Sequence, residues 1–406
     1  MPEFEVILES ALGRPIKGAT TRLLVGRNGT LVTSATDGSG TARLAVPRGA
    51  TSVRLEIGPI PEHWSVGEVC DFAGQPSRRF RAASLTDADE QLGWWHHAVG
   101  LGRADRARGQ GISIGVIDSG CGPHPALTHV EPIGTFIDGT VTSGIDDDGE
   151  HGSHVCGIIT ARPGVAARFI GIAPEAHLMA ARVSLPGRYA NQKDIADALD
   201  AMVEKGADLV NISLAAQVAS ASLIDAVANA WINGTVVFAA AGNYGDAVNW
   251  PARHELVVAV TALGRVAGVA HGSIAHLLLQ TGSAFDAASD FVFPAFCSRG
   301  PGVNCCAPGV GIISTIRSGA EFPGGAWADM SGSSMASPLA LGVLACVLSQ
   351  DEEFLTMQPD EERSKRAVQL LQDHCLPLGF SEDLQGNGLI MLDLTYPTAS
   401  GLTAHG

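Results

Sequence analysis

The chain has 406 residues, 46% of them hydrophobic and 17% charged, which is enough apolar material for one large core and a smaller accessory one. Acidic residues outnumber basic ones 42 to 26, a net charge of −16 that argues against nucleic acid as a partner, because phosphate binding needs clustered cations. No run reaches the roughly 18 apolar residues of a membrane span, and the opening Met1-Pro2-Glu3-Phe4-Glu5-Val6 has no basic segment leading into an apolar one, so neither a membrane nor a secretory route is expected.

In chain order, residues 1–60 read as short β-rich stretches. Phe4–Leu8, Thr21–Val25, Thr30–Thr33, Ala42–Val46 and Val53–Ile57 are separated by turn signals at Asn28-Gly29 and Asp37-Gly38-Ser39-Gly40. No helical period appears, so a small all-β sandwich is expected there, weakly resembling the carboxypeptidase-regulatory and transthyretin-like sandwiches. Residues 61–94, with Pro61 and Pro76 and little periodicity, read as a linker. The stretch Gln91–Gly100 reads as a short helical lead-in whose aromatic rings pack on the next domain. His96 and His97 are adjacent, which points them apart on a helix and disfavours a shared metal.

From Gly111 the character changes. Apolar β-runs at Ile112–Ile117, Leu209–Leu214, Val236–Ala240 and Leu256–Val260 alternate with helical patterns at Asp194–Lys205 and Leu223–Trp231. That alternation predicts an α/β domain, a parallel sheet covered by helices on both faces, with ligands beyond the carboxyl ends of its strands. Asp118, Ser213 and the Gly242-Asn243 turn fall at such ends. Further on, Leu339–Leu348 is apolar on every side and so belongs inside a protein. Ser334 lies just ahead of it, where free N–H groups and the helix dipole favour negative charge. Pro338 is expected in the first turn, where a missing N–H costs nothing. An N-cap serine is the simpler reading of this stretch alone.

Three blocks then stand together: Val116-Ile117-Asp118-Ser119-Gly120, His151-Gly152-Ser153-His154-Val155-Cys156-Gly157 and Gly332-Ser333-Ser334-Met335-Ala336-Ser337-Pro338. A serine hydroxyl needs a base, the base needs an orienting carboxylate, and the oxyanion needs fixed donors. In these blocks, in this order, the chain resembles the subtilisin-like serine peptidases, from about residue 95 to 397. Ile172-Ala173-Pro174, Asn211-Ile212-Ser213-Leu214, Ala240-Ala241-Gly242-Asn243, Phe296–Pro301 and Ala307-Pro308-Gly309 are similar to the family's connecting motifs.

The resemblance implies a triad of Asp118, His151 and Ser334, with the Asn243 amide and the Ser334 N–H as oxyanion donors. It makes His154 structural. It places an extended peptide against Ser213, Leu214 and Ala215 on one edge and Gly187, Arg188 and Tyr189 on the other, with Ala240 and Gly242 walling the P1 pocket. Asp146–Asp148 and Glu150 are then expected as a solvated loop. Departures matter too. Ala126 and the segment 161–168 supply no carboxylates where many members bind calcium, so no metal or other cofactor is expected. Ser331 stands where asparagine is usual. Residues 264–294 form an apolar insert, either extra core or a surface for a partner. The N-terminal strands differ from the mixed helices and strands of the family's inhibitory propeptide, so residues 1–60 are expected to be an accessory domain and a second possible partner surface.

The eight cysteines (70, 121, 156, 297, 305, 306, 346 and 375) show no zinc or CxxC spacing and read as reduced, hence a cytoplasmic protein. Cys156 reads as packing, or more sharply as a thiol whose modification would displace His151. The expected domains are a β-sandwich over 1–60, a linker over 61–94, a peptidase over 95–397 and a tail over 398–406. The expected function is intracellular peptide-bond hydrolysis by a processing or regulated serine endopeptidase. A peptide ligase or macrocyclase of the same fold, and an idle peptide-binding scaffold, are the alternatives.

Overall fold

In the computed structural model the described residues are 3–25, 30–46, 53–70, 76–85, 92–101, 108–162, 169–287, 289–322 and 325–394. The 398–406 tail and residues 163–168 lie outside them.

The first unit is a sandwich of two sheets. Strands β1 (Glu3–Ser10), β4 (Thr41–Ala45) and β7 (Ser77–Ala82) form one, in the order β4-β1-β7. Strands β2 (Thr20–Val25), β3 (Thr30–Ala35), β5 (Val53–Ile57) and β6 (Val66–Cys70) form the other, in the order β3-β2-β5-β6. Side chains alternate across a strand, so each sheet turns one face inward. Phe4, Val6, Leu8 and Leu44 of the first sheet meet Leu23, Leu55, Ile57 and Val66 of the second in a closed core. The segment expected as a linker therefore contributes two strands. β6 pairs antiparallel with β5, and β7 pairs parallel with β1. The sequence conceals this because β7, Ser77-Arg78-Arg79-Phe80-Arg81-Ala82, carries three arginines on an edge strand and closes the core with Ala82.

Helix α1 (Trp94–Ala98) leads into the second unit. Trp95 packs on Phe169 with ring centroids 5.1 Å apart. His96 is buried, accepts the Gly93 N–H on Nδ1 at 2.8 Å and donates from Nε2 to the Ile170 carbonyl at 2.8 Å. Burial holds its pKa down at about 3, so it is a neutral structural residue.

The second unit is built on one twelve-stranded sheet. Its parallel centre contains β8 (Ser113–Asp118), β9 (Glu131–Ile137), β11 (His177–Arg182), β12 (Leu209–Ile212), β13 (Val236–Ala240), β14 (Val257–Arg265) and β17 (Val303–Pro308), in the order β9-β11-β8-β12-β13-β14-β17. Short antiparallel strands flank it, among them β10 (Thr140–Thr142) on β9 and the hairpin of β15 (Ala284–Asp286) and β16 (Phe291–Phe293) on β14. Helices α2 (His151–Thr160) and α6 (Ser333–Leu348) cover one face, while α3 (Gln192–Glu204) and α4 (Ala221–Ile232) cover the other. Ile114 and Val116 point into the first layer, Ile117, Val210 and Ile212 into the second. From β11 the chain passes over β8 to reach β12, so the strand order reverses beside β8. The crevice beyond the carboxyl ends of β8 and β12 is where such sheets bind ligands.

Part of the insert is extra core, as one of the two expectations had it. Leu278, Leu279, Phe291 and Phe293 join the core. Helix α5 (Ile274–Gln280) turns its N-terminus to the sandwich, where the Ile274 N–H donates to the Ser65 carbonyl at 2.9 Å. The two units also meet at Trp327, whose carbonyl accepts the Glu62 N–H at 2.9 Å, and at Asp329, which accepts the Ser65 N–H and hydroxyl at 2.7 and 2.8 Å. Among the described residues no helix is long and apolar enough to cross a membrane.

Candidate active site

Asp118 is the last residue of β8 and is buried. Its Oδ1 accepts the Ser119 N–H at 2.7 Å and lies 2.7 Å from His151 Nδ1. A buried carboxylate oxygen can only accept, so Nδ1 carries the proton and Nε2 is left with a lone pair. His151 opens α2, and Glu150 before it sits in the left-handed region at φ 64°. Burial depresses the imidazole pKa, but the Asp118 charge and hydrogen bond outweigh it, so His151 titrates above its ordinary 6.5.

The loop ahead of His151 departs from the solvated reading. Asp147 is fully buried and accepts from Ser119 Oγ (2.8 Å), the Gly149 N–H (2.9 Å), the Ser153 N–H (2.7 Å) and Ser153 Oγ (2.7 Å). One carboxylate thus ties the residue after Asp118 to the first turn of the His151 helix, where negative charge also suits the helix dipole. Asp148 is at the surface, paired to Arg182 at 2.8 Å and Arg317 at 3.2 Å. A run of acidic residues does not reveal which one turns inward. His154 is buried, and its Nε2 donates to the Ile312 and Ala328 carbonyls at 3.0 and 3.2 Å. Burial pushes its pKa down to about 3, in line with a structural role.

Ser334 is the second residue of α6, whose N-cap is Gly332. The helix starts five residues before Pro338, so the proline lies inside it rather than in its first turn. Its missing N–H would have bonded the carbonyl four residues back, which is that of Ser334. That carbonyl accepts Ser213 Oγ instead, at 2.8 Å. Behind it runs a buried chain in which Asn211 Nδ2 donates to Ser213 Oγ at 2.9 Å and Ser337 Oγ donates to Asn211 Oδ1 at 2.7 Å. Asn211 and Ser337 thereby fix the serine turn to β12. Neither stands out from the sequence as a functional residue, although both lie in motifs that do. The Ser334 hydroxyl itself donates to the Ser213 carbonyl at 3.3 Å. Among the described residues it makes no hydrogen bond to His151.

Asn243 Oδ1 accepts the Ser333 N–H and the Ser333 hydroxyl, both at 2.9 Å. A backbone N–H only donates, so the amide is oriented and its NH₂ points away from Ser333. Ser331 Oγ accepts the Gly311 N–H at 2.9 Å, holding the turn before Gly332 from the other side.

His151, Ser334 and Asn243 line one cavity of about 520 Å³ with Met335, Met330 and Phe296. Its opposite wall is the sandwich, through Arg22, Arg54, Glu56, Gly58 and Pro59. None of the residues expected to hold the substrate lies in this lining. Ser213 touches Ser334 from behind it, with Leu214 and Ala215 following. Ala240 ends β13, and the Gly242 N–H donates to Ser333 Oγ at 3.1 Å. Arg188 and Tyr189, next to Gly187, border a different hollow with Asp138 and Asp194, where Arg188 pairs with Asp138 at 3.1 Å. The ion pair holds that turn to the end of β9. Ala126, at the position where many family members carry a calcium-binding aspartate, is buried and its carbonyl accepts the Arg162 N–H at 3.1 Å, while most of the segment 161–168 lies outside the described residues.

The seven cysteines other than Cys70 are free and buried. The Cys156 thiol pairs with that of Cys121, and this contact together with burial raises its pKa well above the ordinary range. Such a thiol is a poor nucleophile, which favours the packing role.

The model of the subtilase family matches residues 109–375. The major intracellular serine protease of Bacillus subtilis (strain 168) is 31% identical over 304 residues, covering 71% of this chain and 83% of that protein. The thermophilic serine proteinase of Bacillus sp. (strain AK1) is 34% identical over 264 residues, 63% of this chain, and the chain spans 56% of its length. Among solved structures, the S41 psychrophilic protease superposes with a TM-score of 0.61 at 26% identity, over 75% of this chain and all of that one.

Proposed function

Because the chain belongs to the subtilase family, we propose that it is a serine endopeptidase in which Ser334 attacks the scissile carbonyl, His151 is the base and Asp118 orients and stabilises the imidazolium. The observation that carries this reading is the 2.7 Å Asp118–His151 contact beside a cavity that Ser334 and Asn243 also line. In the resting arrangement the Ser334 hydroxyl keeps its proton and donates it to the Ser213 carbonyl in a hydrogen bond. Rotation of the Ser334 side chain toward Nε2 hands that proton to His151 as the C–O bond forms. The tetrahedral oxyanion takes the Asn243 NH₂, whose orientation Ser333 holds, and the Ser334 N–H, which as an early helix donor has no intrahelical acceptor. His151 then protonates the leaving amine, and water repeats the sequence on the acyl-enzyme. Ser213–Ala215, Ala240 and Gly242 remain our assignment for the acyl side of the substrate.

Hydrolysis is distinguished from ligation by mass spectrometry of products from a test peptide. Two fragments whose masses sum to the peptide plus one water are expected; joined or cyclic products would contradict the reading. We place the enzyme in the cytoplasm, as a processing or regulated protease. The free, buried cysteines and the intracellular relative support that placement. Protein made in a reducing cytosol should titrate all eight thiols after denaturation, and a pair resistant to labelling would contradict it.

A further inference from the structure

The cavity beside Ser334 has a wall that the peptidase domain does not supply. In β2 and β5 the inward residues Leu23, Leu55 and Ile57 fill the sandwich core. Alternation turns their neighbours Arg22, Arg54 and Glu56 to the outer face of the sheet, where Arg22 and Glu56 are cross-strand partners. On a free sandwich that face would meet water. Here the contacts of Ser65 with Asp329 and Ile274 hold it over the cavity, and all three charged residues line it.

The charges in the lining are not equally matched. Arg54 Nε pairs with Glu56 at 2.7 Å, Asp329 takes the two Ser65 donors, and His151 is paired to Asp118. Among the described residues Arg22 has one hydrogen-bond partner, the neutral Gly58 carbonyl, and no ion pair. Its charge is felt by Glu150, the residue before His151, so it stands within electrostatic reach of the catalytic centre. A guanidinium has five donors in a plane, and among the described residues the Gly58 carbonyl takes only one of those of Arg22, a residue that lines the cavity. Ser213–Ala215, Ala240 and Gly242, assigned to the acyl side, are absent from this lining, which leaves the cavity for the leaving-group side of the scissile bond.

We propose that Arg22, steadied by the Arg54–Glu56 pair, is a carboxylate-binding subsite contributed by the N-terminal sandwich, and that it selects substrates carrying a carboxylate on the leaving-group side of the cleaved bond. The inference rests on the endopeptidase reading. The carboxylate has two possible sources, an Asp or Glu side chain or the free C-terminus of a short leaving fragment.

The test is a peptide series with Glu or its neutral isostere Gln at each position on either side of one cleavable bond, every peptide made as free acid and as amide. The readout is the ratio of kcat/KM for the carboxylate peptide to that for its neutral twin. The wild-type ratio should exceed one by about 10- to 100-fold on the leaving-group side, the worth of a charge-assisted hydrogen bond. Loss with Gln identifies the side chain as source, and loss with the amide identifies the C-terminus. Arg22→Ala should bring the ratio near one, Arg22→Lys should keep part of it, and Arg22→Glu should reverse it in favour of Lys-bearing peptides. Thermal melts of all three variants separate misfolding from lost recognition. A ratio near one throughout in the wild type, a preference confined to the acyl side, or a ratio unchanged in Arg22→Ala would overturn the proposal. Binding of the same pairs to Ser334→Ala, measured by calorimetry, reads the same ratio without turnover, so a failure of the endopeptidase reading is told apart from a failure of the subsite.

Discussion

The two units bury their strands differently, and the difference decides what each contributes to the site. The central strands β8, β12 and β13 are covered on both faces, so their side chains are committed to packing and only their carboxyl ends are free for chemistry. The sandwich strands are covered on one face and carry polar residues on the other, as the alternating burial of β1 and β4 shows. A two-sided sheet offers its ends; a one-sided sheet offers a surface. The second unit therefore carries the triad we propose, and the sandwich supplies a cavity wall lined by Arg22, Arg54 and Glu56.

Changes at strand ends should strike turnover, and the largest of these below the nucleophile itself is Asp118→Asn. With an amide in place of the carboxylate the imidazole loses its fixed tautomer, and kcat should fall about 10⁴-fold. The pH profile sharpens the point. His151 must be neutral to act, and Asp118 raises its pKa, so the acid limb of kcat/KM should lie above pH 6.5 in the parent. In the variant only the nearby Asp147 charge still opposes burial, so the limb should move to lower pH. The sign for stability is opposite. A histidine whose folded pKa is raised contributes stability fully below about pH 6.5, and loses it as the pH rises through the folded value. The pair thus stabilises the fold most where the enzyme works least. A limb that stays in place in Asp118→Asn would break the assignment of the pair.

Asn243→Ala comes next. Removing one oxyanion donor should lower kcat about 10²- to 10³-fold with little change in KM, a magnitude characteristic of this family rather than one obtained from the present geometry. An effect on KM alone would make Asn243 a binding residue. The smallest change lies at the junction of the two units. Ser65→Ala removes one hydrogen bond to buried Asp329 and should cost about 1–3 kcal/mol, read as a lower thermal midpoint with a higher KM. Full stability together with a tenfold loss of kcat would contradict the division between chemistry and wall.

Legibility in the sequence divides along the same line. Asp118, His151, Ser334 and Asn243 sit in short motifs whose resemblance to those of the subtilisin-like family implies their chemistry, and the apolar runs around them announce the parallel sheet. The sandwich is visible only through its inward positions. Strands β6 and β7 are hidden because glycine and arginine interrupt the pattern. Asp147 cannot be told from Asp146 and Asp148, since its burial depends on Ser119 and Ser153, 28 and 6 residues away. Pro338 looks like a helix start because a proline inside a helix is costly, and the Ser213 hydroxyl that compensates for it lies 121 residues from Ser334. The wall of the cavity is least legible of all. Arg22 on an outer sheet face reads as a solvated residue until Ser65 is seen to dock that face over Ser334.

The most direct test of the central claim is the site of covalent labelling by a serine-directed phosphonate, mapped by mass spectrometry and compared with Ser334→Ala. A single adduct on Ser334 is expected, with its absence in the variant and a fall in kcat of about 10⁶-fold, again a magnitude that belongs to this family. An adduct on another serine, or turnover retained by Ser334→Ala, would contradict the assignment of Ser334 as the nucleophile.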